Sequence, residues 1–326
     1  MSIGRAKFFA GCEKGVAFGG GAWYTGETKG AHRNRVEVIA VDFHAFVQDI
    51  VSHPWRVHGV EVYNDGRLTH TFGDTCRTRY PIYSATKSVL SVAVGIACDQ
   101  GKLDLNRCIL DDLPGRFVAQ MADDQREAYR SITLRRLMTM SVEGYPFRPE
   151  GDGYLRFSLS CPIPQPESAR FHYSNIPAYL VGVALTEAVQ EDAWTFINRQ
   201  ILQPLHITGA ACARCPDGYF YGASGMQLSV NELSRIGLLL AGGGVLEGNR
   251  IVSEDYVRRA TSVQQMNREG GYGYFFWTCR EGFYISGKWK QRCYVLPSQK
   301  RVITFLGDMR DDSDDLILSM ERNLLD

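Results

Sequence analysis

Between Val41 and Ser52 the apolar residues Val41, Phe43, Phe46, Val47, Ile50 and Val51 return every three or four positions. That spacing gathers them on one stripe and predicts an amphipathic helix. The rhythm then changes. HGVEVYNDGRLTHTFGD holds two short alternating runs joined by Asn64-Asp65-Gly66, the residue types a tight β-hairpin needs. After Ser84 the residues Val89, Leu90, Val92, Ala93, Ile96 and Ala97 continue as a helix that is apolar nearly all round and stops near Gly101. A helix of that kind is buried.

From about residue 102 to 250 the signals are mainly helical, with long loops. SITLRRLMTM starts a helix with Ser131 or Thr133 as its N-cap. IPAYLVGVALTEAVQ, DAWTFINRQIL and SVNELSRIGLLLAGGG are further helices, the last closed by glycines. In the C-terminal quarter GYGYFFWTC, GFYISG, QRCYVLP and RVITFLGD read as short strands. SDDLILSMERNLL closes the chain as a helix with acidic residues in its first turn. The order predicts an α/β (α+β) fold. Residues 35–100 plus 251–326 supply an antiparallel sheet flanked by helices, 101–250 form a mostly helical inserted domain, and a glycine-rich segment covers 1–34.

Composition narrows the function classes. Acidic and basic residues balance at 36 each, so there is no basic field to collect nucleic-acid phosphates or an anionic membrane surface. No run approaches the length that spans a bilayer. The sequence FAGC near the N-terminus resembles the end of a lipoprotein signal, yet its apolar segment, Phe8 to Ala10, is too short for one. Nine scattered cysteines fit reduced thiols in a cytoplasm. Cys212 and Cys215 form C-x-x-C without a second ligand pair, which reads as two ordinary thiols rather than a metal site.

Three stretches carry chemistry. In PIYSATKSVLSV, Ser84 and Lys87 stand three apart at the head of the apolar helix, so the amine and hydroxyl share a face. The free N–H groups there favour the negative charge that grows on an attacking hydroxyl. Burial lowers a lysine pKa, as a general base requires. Alone, S-x-x-K is a weak signal and fits a lysine that merely starts a helix.

RFHYSNIPAYLVG places Tyr173, Ser174 and Asn175 just before another helix. A phenol beside an ammonium is expected to be more acidic than usual and to relay the serine proton. Asn175 can bond the lysine and a substrate carbonyl. In FYISGKWKQRCYVLP, a strand ends at Ser286-Gly287. Gly287 would let a substrate backbone approach, and the N–H groups of Ser84 and Lys288 could form an oxyanion hole. Taken alone, the third stretch is a hairpin with two exposed lysines.

Together, in this order, the three resemble the serine β-lactamase and penicillin-binding-protein superfamily. The likeness is strongest to its branch of class C β-lactamases, D-alanyl carboxypeptidases and family VIII esterases, which shares the Y-S-N second motif. ITLRRLMTMSVEG and GMQLSVNELSRIGLLLAGGGVLEGNRIVSEDYV also resemble that family's non-catalytic segments. The resemblance implies a β-lactamase/transpeptidase-like fold with its site between sheet and helical domain. It makes Ser84 the acylated nucleophile, Lys87 its base, Tyr173 the relay, Asn175, Ser286 and Gly287 substrate contacts, and the N–H groups of Ser84 and Lys288 the oxyanion hole.

It also implies a small-molecule ester or amide substrate, no metal and no organic cofactor. One position departs: the family's K-T-G or H-T-G reads Ile285-Ser286-Gly287 here, removing the cation that meets a substrate carboxylate. Lys288, Lys290 and Arg292 are the possible replacements. The expected activity is therefore hydrolysis or transfer of an ester or amide acyl group. A true β-lactamase or D-alanyl-D-alanine carboxypeptidase is the nearest alternative, and a silent binding protein on the same scaffold the next.

Overall fold

The computed structural model describes residues 41–310 and 313–325; the glycine-rich 1–34 segment lies outside them. Its main sheet has eight strands: β1 (Val57–Asn64), β2 (Arg67–Gly73), β3 (Gln265–Asn267), β4 (Gly270–Tyr272), β5 (Trp277–Cys279), β6 (Gly282–Gly287), β7 (Gln291–Leu296) and β8 (Arg301–Gly307). Their spatial order is β2-β1-β8-β7-β6-β5-β4-β3, every neighbouring pair antiparallel. The last long strand thus seats itself beside the first, with Val60 opposite Phe305 and Val62 opposite Ile303.

Among the described residues, five helices reach ten residues: α1 (Phe43–Ser52), α2 (Thr86–Asp99), α3 (Ile176–Val189), α4 (Val230–Ala241) and α5 (Asp315–Leu324). Side chains alternate across the sheet, which splits the core in two. Ile285, Cys293 and Val302 face α2, α3 and α4 in the larger cluster. Val60, Val62, Tyr294, Ile303 and Phe305 face α1 and α5 in the smaller one. Every residue of α2 from Thr86 to Ala97 is buried, as its apolar run predicts. Gly101 ends it at φ +70°. Ser229 and Glu232 close a capping box on α4, each side chain bonding the other's backbone.

The hairpin of β1 and β2 turns through Asp65 and Gly66, both at positive φ (48° and 75°), the conformation for which that tripeptide is suited. Thr133, not Ser131, caps its helix, accepting from the Arg136 N–H; the Ser131 hydroxyl donates to the Pro166 carbonyl instead. GYGYFFWTC is not one strand. Phe275 takes φ +62° and its N–H donates to the carbonyls of Met138 and Gly273, so the chain breaks between β4 and β5. No helix among the described residues is long and apolar enough to cross a membrane.

Candidate active site

Ser84 lies in a single 3-10 turn, Tyr83–Ala85, that leads directly into α2. Tyr83, just before it, has φ +49°, a left-handed backbone that costs free energy for a residue with a side chain. The turn is fixed on two sides. The short strand Tyr80–Pro81 pairs with Met226–Leu228, and the Ile82 N–H donates to the Met226 carbonyl at 3.0 Å. On the other side the Tyr83 ring meets Trp289 edge-on at 4.8 Å, so the turn touches the loop after β6.

Lys87 follows one turn along α2 and is 1% exposed. Its Nζ donates to Ser84 Oγ at 3.2 Å, Asn175 Oδ1 at 2.7 Å and the Ala223 carbonyl at 2.9 Å. No carboxylate partners it within salt-bridge distance among the described residues. Burial with neutral partners penalises the ammonium, and the pKa falls to about 7. The geometry suits both protonation states. As ammonium, Lys87 has three N–H groups for three acceptors. As amine, it keeps two for Asn175 and Ala223 and offers its lone pair to the Ser84 hydroxyl.

Asn175 is fixed at the head of α3, its N–H on the Phe147 carbonyl at 2.8 Å. Its side chain also lowers the pKa of the nearby Tyr221 phenol, though burial outweighs it. Ser174, the middle residue of the motif, is structural: its hydroxyl donates to the Pro146 carbonyl and accepts from the Ile176 N–H. Tyr173 is half-buried beside them, its ring 5.1 Å from Lys87 Nζ. Its phenol is within bonding reach of the Ser84 hydroxyl.

One electrostatic expectation is overturned. Burial pushes the Tyr173 phenol up to about 12, more than Ser84 and Arg292 pull it down. The groups that pull the phenol down are the Ser84 hydroxyl and the Arg292 charge, and together they do not offset the burial.

The Ala223 carbonyl was invisible in the sequence, because a main-chain oxygen has no side-chain signature. A faint signal exists in GASG: Gly222 has φ +69° and a Cβ there would lie 2.5 Å from the Ala178 carbonyl. An aromatic wall was also missed. Tyr173 stacks on Trp277 at 5.9 Å, Trp277 on Tyr284 at 6.4 Å, and Phe171 meets Trp277 edge-on at 5.9 Å.

The third motif sits where β6 runs past β5. Trp277 of β5 pairs with Tyr284, leaving Ile285, Ser286 and Gly287 without a strand partner on that side. Gly287 also has a structural reason. A Cβ there would stand 2.2 Å from the Ile82 carbonyl, so the glycine admits the protein's own Ser84-bearing turn.

The Lys288 N–H has no backbone acceptor among the described residues. Ile285 is fully buried in the larger core. Lys290, expected to be exposed, is 9% exposed, with its Nζ on Asp314 at the head of α5 at 2.6 Å. Lys288 places its Nζ over Trp289, 4.9 Å from the ring centre. Of the two lysines, Lys290 is already paired with a carboxylate.

The β-lactamase family profile matches residues 48–315. The chain belongs to the β-lactamase family. It is a serine hydrolase of that family, built for acyl transfer. Solved structures share the fold at low identity. A provisionally assigned β-lactamase from Bacteroides dorei DSM 17855 aligns at 16% identity and TM-score 0.70, over 88% of this chain and 100% of that one. A provisionally assigned 6-aminohexanoate-dimer hydrolase from Bacillus anthracis aligns at 15% and 0.70, over 90% and 84%. A D-stereospecific amidohydrolase from Streptomyces sp. aligns at 17% and 0.65, over 87% and 98%.

Proposed function

We propose that Ser84 is the nucleophile of an esterase or amidase that works through an acyl-enzyme, with Lys87 as its base. The observation that carries this reading is the buried Lys87 amine, poised near neutrality and 3.2 Å from Ser84 Oγ. Neutral Lys87 takes the Ser84 proton as Oγ bonds to the substrate carbonyl carbon. The resulting oxyanion is met by the N–H groups of Ser84 and Lys288. Tyr173, protonated at neutral pH, gives its proton to the departing oxygen or nitrogen, and the Lys87 ammonium restores it. Water, or another acceptor, then attacks the ester on Ser84 by the same proton route reversed. Asn175, Ser286 and Gly287 are placed in this reading to contact the substrate.

Two of the similar structures carry the names of amide-bond hydrolases, which supports including amides among the substrates. The eight described cysteines are free thiols, which supports residence in a reducing cytoplasm; fractionation with an envelope marker would oppose it. The decisive experiment is intact-protein mass spectrometry after exposure to p-nitrophenyl esters, anilides and a penicillin, with Ser84→Ala as control. One acyl mass on the wild type and none on the variant is expected. Equal adducts on both proteins, or none on either, would remove Ser84 from the reaction.

A further inference from the structure

The hairpin after the third motif turns through two consecutive residues in the left-handed region, Trp289 (φ +61°) and Lys290 (φ +66°). Neither is a glycine, so each conformation costs free energy that the surroundings must offset. A third such residue, Tyr83, precedes Ser84 at φ +49°, and its ring meets Trp289 edge-on at 4.8 Å. Strained backbone thus lies beside both N–H groups proposed for the oxyanion hole, those of Ser84 and Lys288.

Gln291 holds the turn. It is 1% exposed. Its two amide N–H groups are shared among three carbonyls: Lys288 at 3.0 Å, Trp289 at 3.3 Å and Gly307 at 2.6 Å. Its Oε1 accepts from the Gly307 N–H at 3.2 Å, so the turn is fastened to the end of β8. From outside, the Arg310 guanidinium lies 4.4 Å from the centre of the Trp289 ring.

The peptide before Lys288 is held as well. Ser286 of β6 pairs with Arg292 of β7, and Arg292 Nη1 donates to the Gly287 carbonyl at 3.0 Å. A peptide is planar and this one is trans, so the Lys288 N–H points opposite to that carbonyl. With the carbonyl held from β7, the N–H is directed to the flank that β5 leaves open. The carbonyls on both sides of Lys288 are fixed, and with them the direction of its N–H.

We propose that Gln291 is a positioning residue: by clamping the strained turn it aims the Lys288 N–H at the substrate oxygen, while Arg292 sets the peptide plane. A donor held in place beforehand need not reorganise as charge develops on that oxygen. The catalytic part of this inference rests on Ser84 being the nucleophile; the part that concerns the orientation of the peptide does not.

Gln291→Met keeps the volume and removes the donors. With p-nitrophenyl acetate, a neutral ester, it is expected to lower kcat per titrated active site about 10²-fold and leave KM unchanged. The carbonyl stretch of the acyl-enzyme, followed by rapid-mixing infrared spectroscopy with a carbonyl-labelled ester, is expected to rise as the hydrogen bond is lost. Wild-type kcat, a loss accounted for by fewer titrated sites, or an unmoved stretch would overturn the assignment. Should Gln291→Met not fold, Arg292→Met is measured in the same way. The same signature is expected, partly restored in Arg292→Lys, which keeps one donor for the Gly287 carbonyl; an unmoved kcat and stretch would again overturn it. Crystals of Ser84→Ala and Ser84→Ala/Gln291→Met proteins should show the Lys288 N–H turned towards residue 84 only in the first. The same orientation in both would remove the positioning role. Absence of an acyl adduct on the wild type would sink the hydrolase reading, and the crystal comparison would still decide what Gln291 does.

Discussion

Lys87 makes three contacts, and none of them has to break when its proton moves. An amine near pKa 7 is mostly protonated at pH 5 and mostly neutral at pH 9, and only the neutral form can accept the Ser84 proton. With the lysine pKa depressed, kcat/KM for an activated ester should therefore rise with pH, bend near 7 and stay level beyond 9. Tyr173 stays protonated over that range because burial holds it up to about 12. A flat profile from pH 5 to 9, or an inflection near 10, would remove Lys87 as the base. Lys87→Ala is expected to lower kcat/KM by about 10²–10⁴-fold, the usual range for losing a positioned base. The pairing of Ser84 with Lys87 was legible because it is local, one helical turn. The direction of the Tyr173 shift was not, since it depends on how much protein surrounds the ring.

At the scale of elements, the site depends on how closely β6 passes the turn that carries Ser84. Gly287→Ala would drive a methyl group to 2.2 Å from the Ile82 carbonyl, and neither backbone can yield without moving Ser84 or Lys288. The variant should fold with an unchanged far-UV spectrum, lose about 1–3 kcal/mol of stability and lose about 10²-fold in kcat. Wild-type turnover in a crystal-verified Gly287→Ala protein would show that the spacing is slack. Elements whose pattern and punctuation agree were readable in advance: the hairpin through Asp65-Gly66, α2, and α4 with the glycines that close it. Elements defined by distant partners were not. Phe275 breaks a run that reads as one strand because its N–H is claimed by Met138, about 137 positions earlier in the chain as numbered. The fate of Lys290 was set by Asp314, and that of Arg292 by a strand register no alternation pattern could supply.

Across the whole molecule, the outer layer is made from the two ends of the described chain. Asp49 of α1 accepts hydrogen bonds from Ser319, Arg322 and Asn323 of α5, at 2.6, 2.7 and 3.3 Å. Ser319 is the largest influence holding its carboxyl below the usual value, and Arg322 adds to it. A depressed folded-state pKa stabilises the protein above the unfolded value of 3.8 and loses that benefit as pH falls through the folded one. Asp49→Asn should thus cost about 1 kcal/mol at pH 7 and progressively less as the pH falls below 3.8, measured by urea unfolding at each pH. An undiminished cost in acid would assign the effect to packing.

The same closure has a temporal side. Arg301 Nε reaches Asn64 Oδ1 across 237 positions, and β1 finds its second partner only in β8. During synthesis α2 leaves the ribosome long before that strand exists, while one flank of Val57–Asn64 stands unsatisfied. A polypeptide released early would present that flank to other chains and be prone to clump, a hazard that ends only when the last strand closes the sheet.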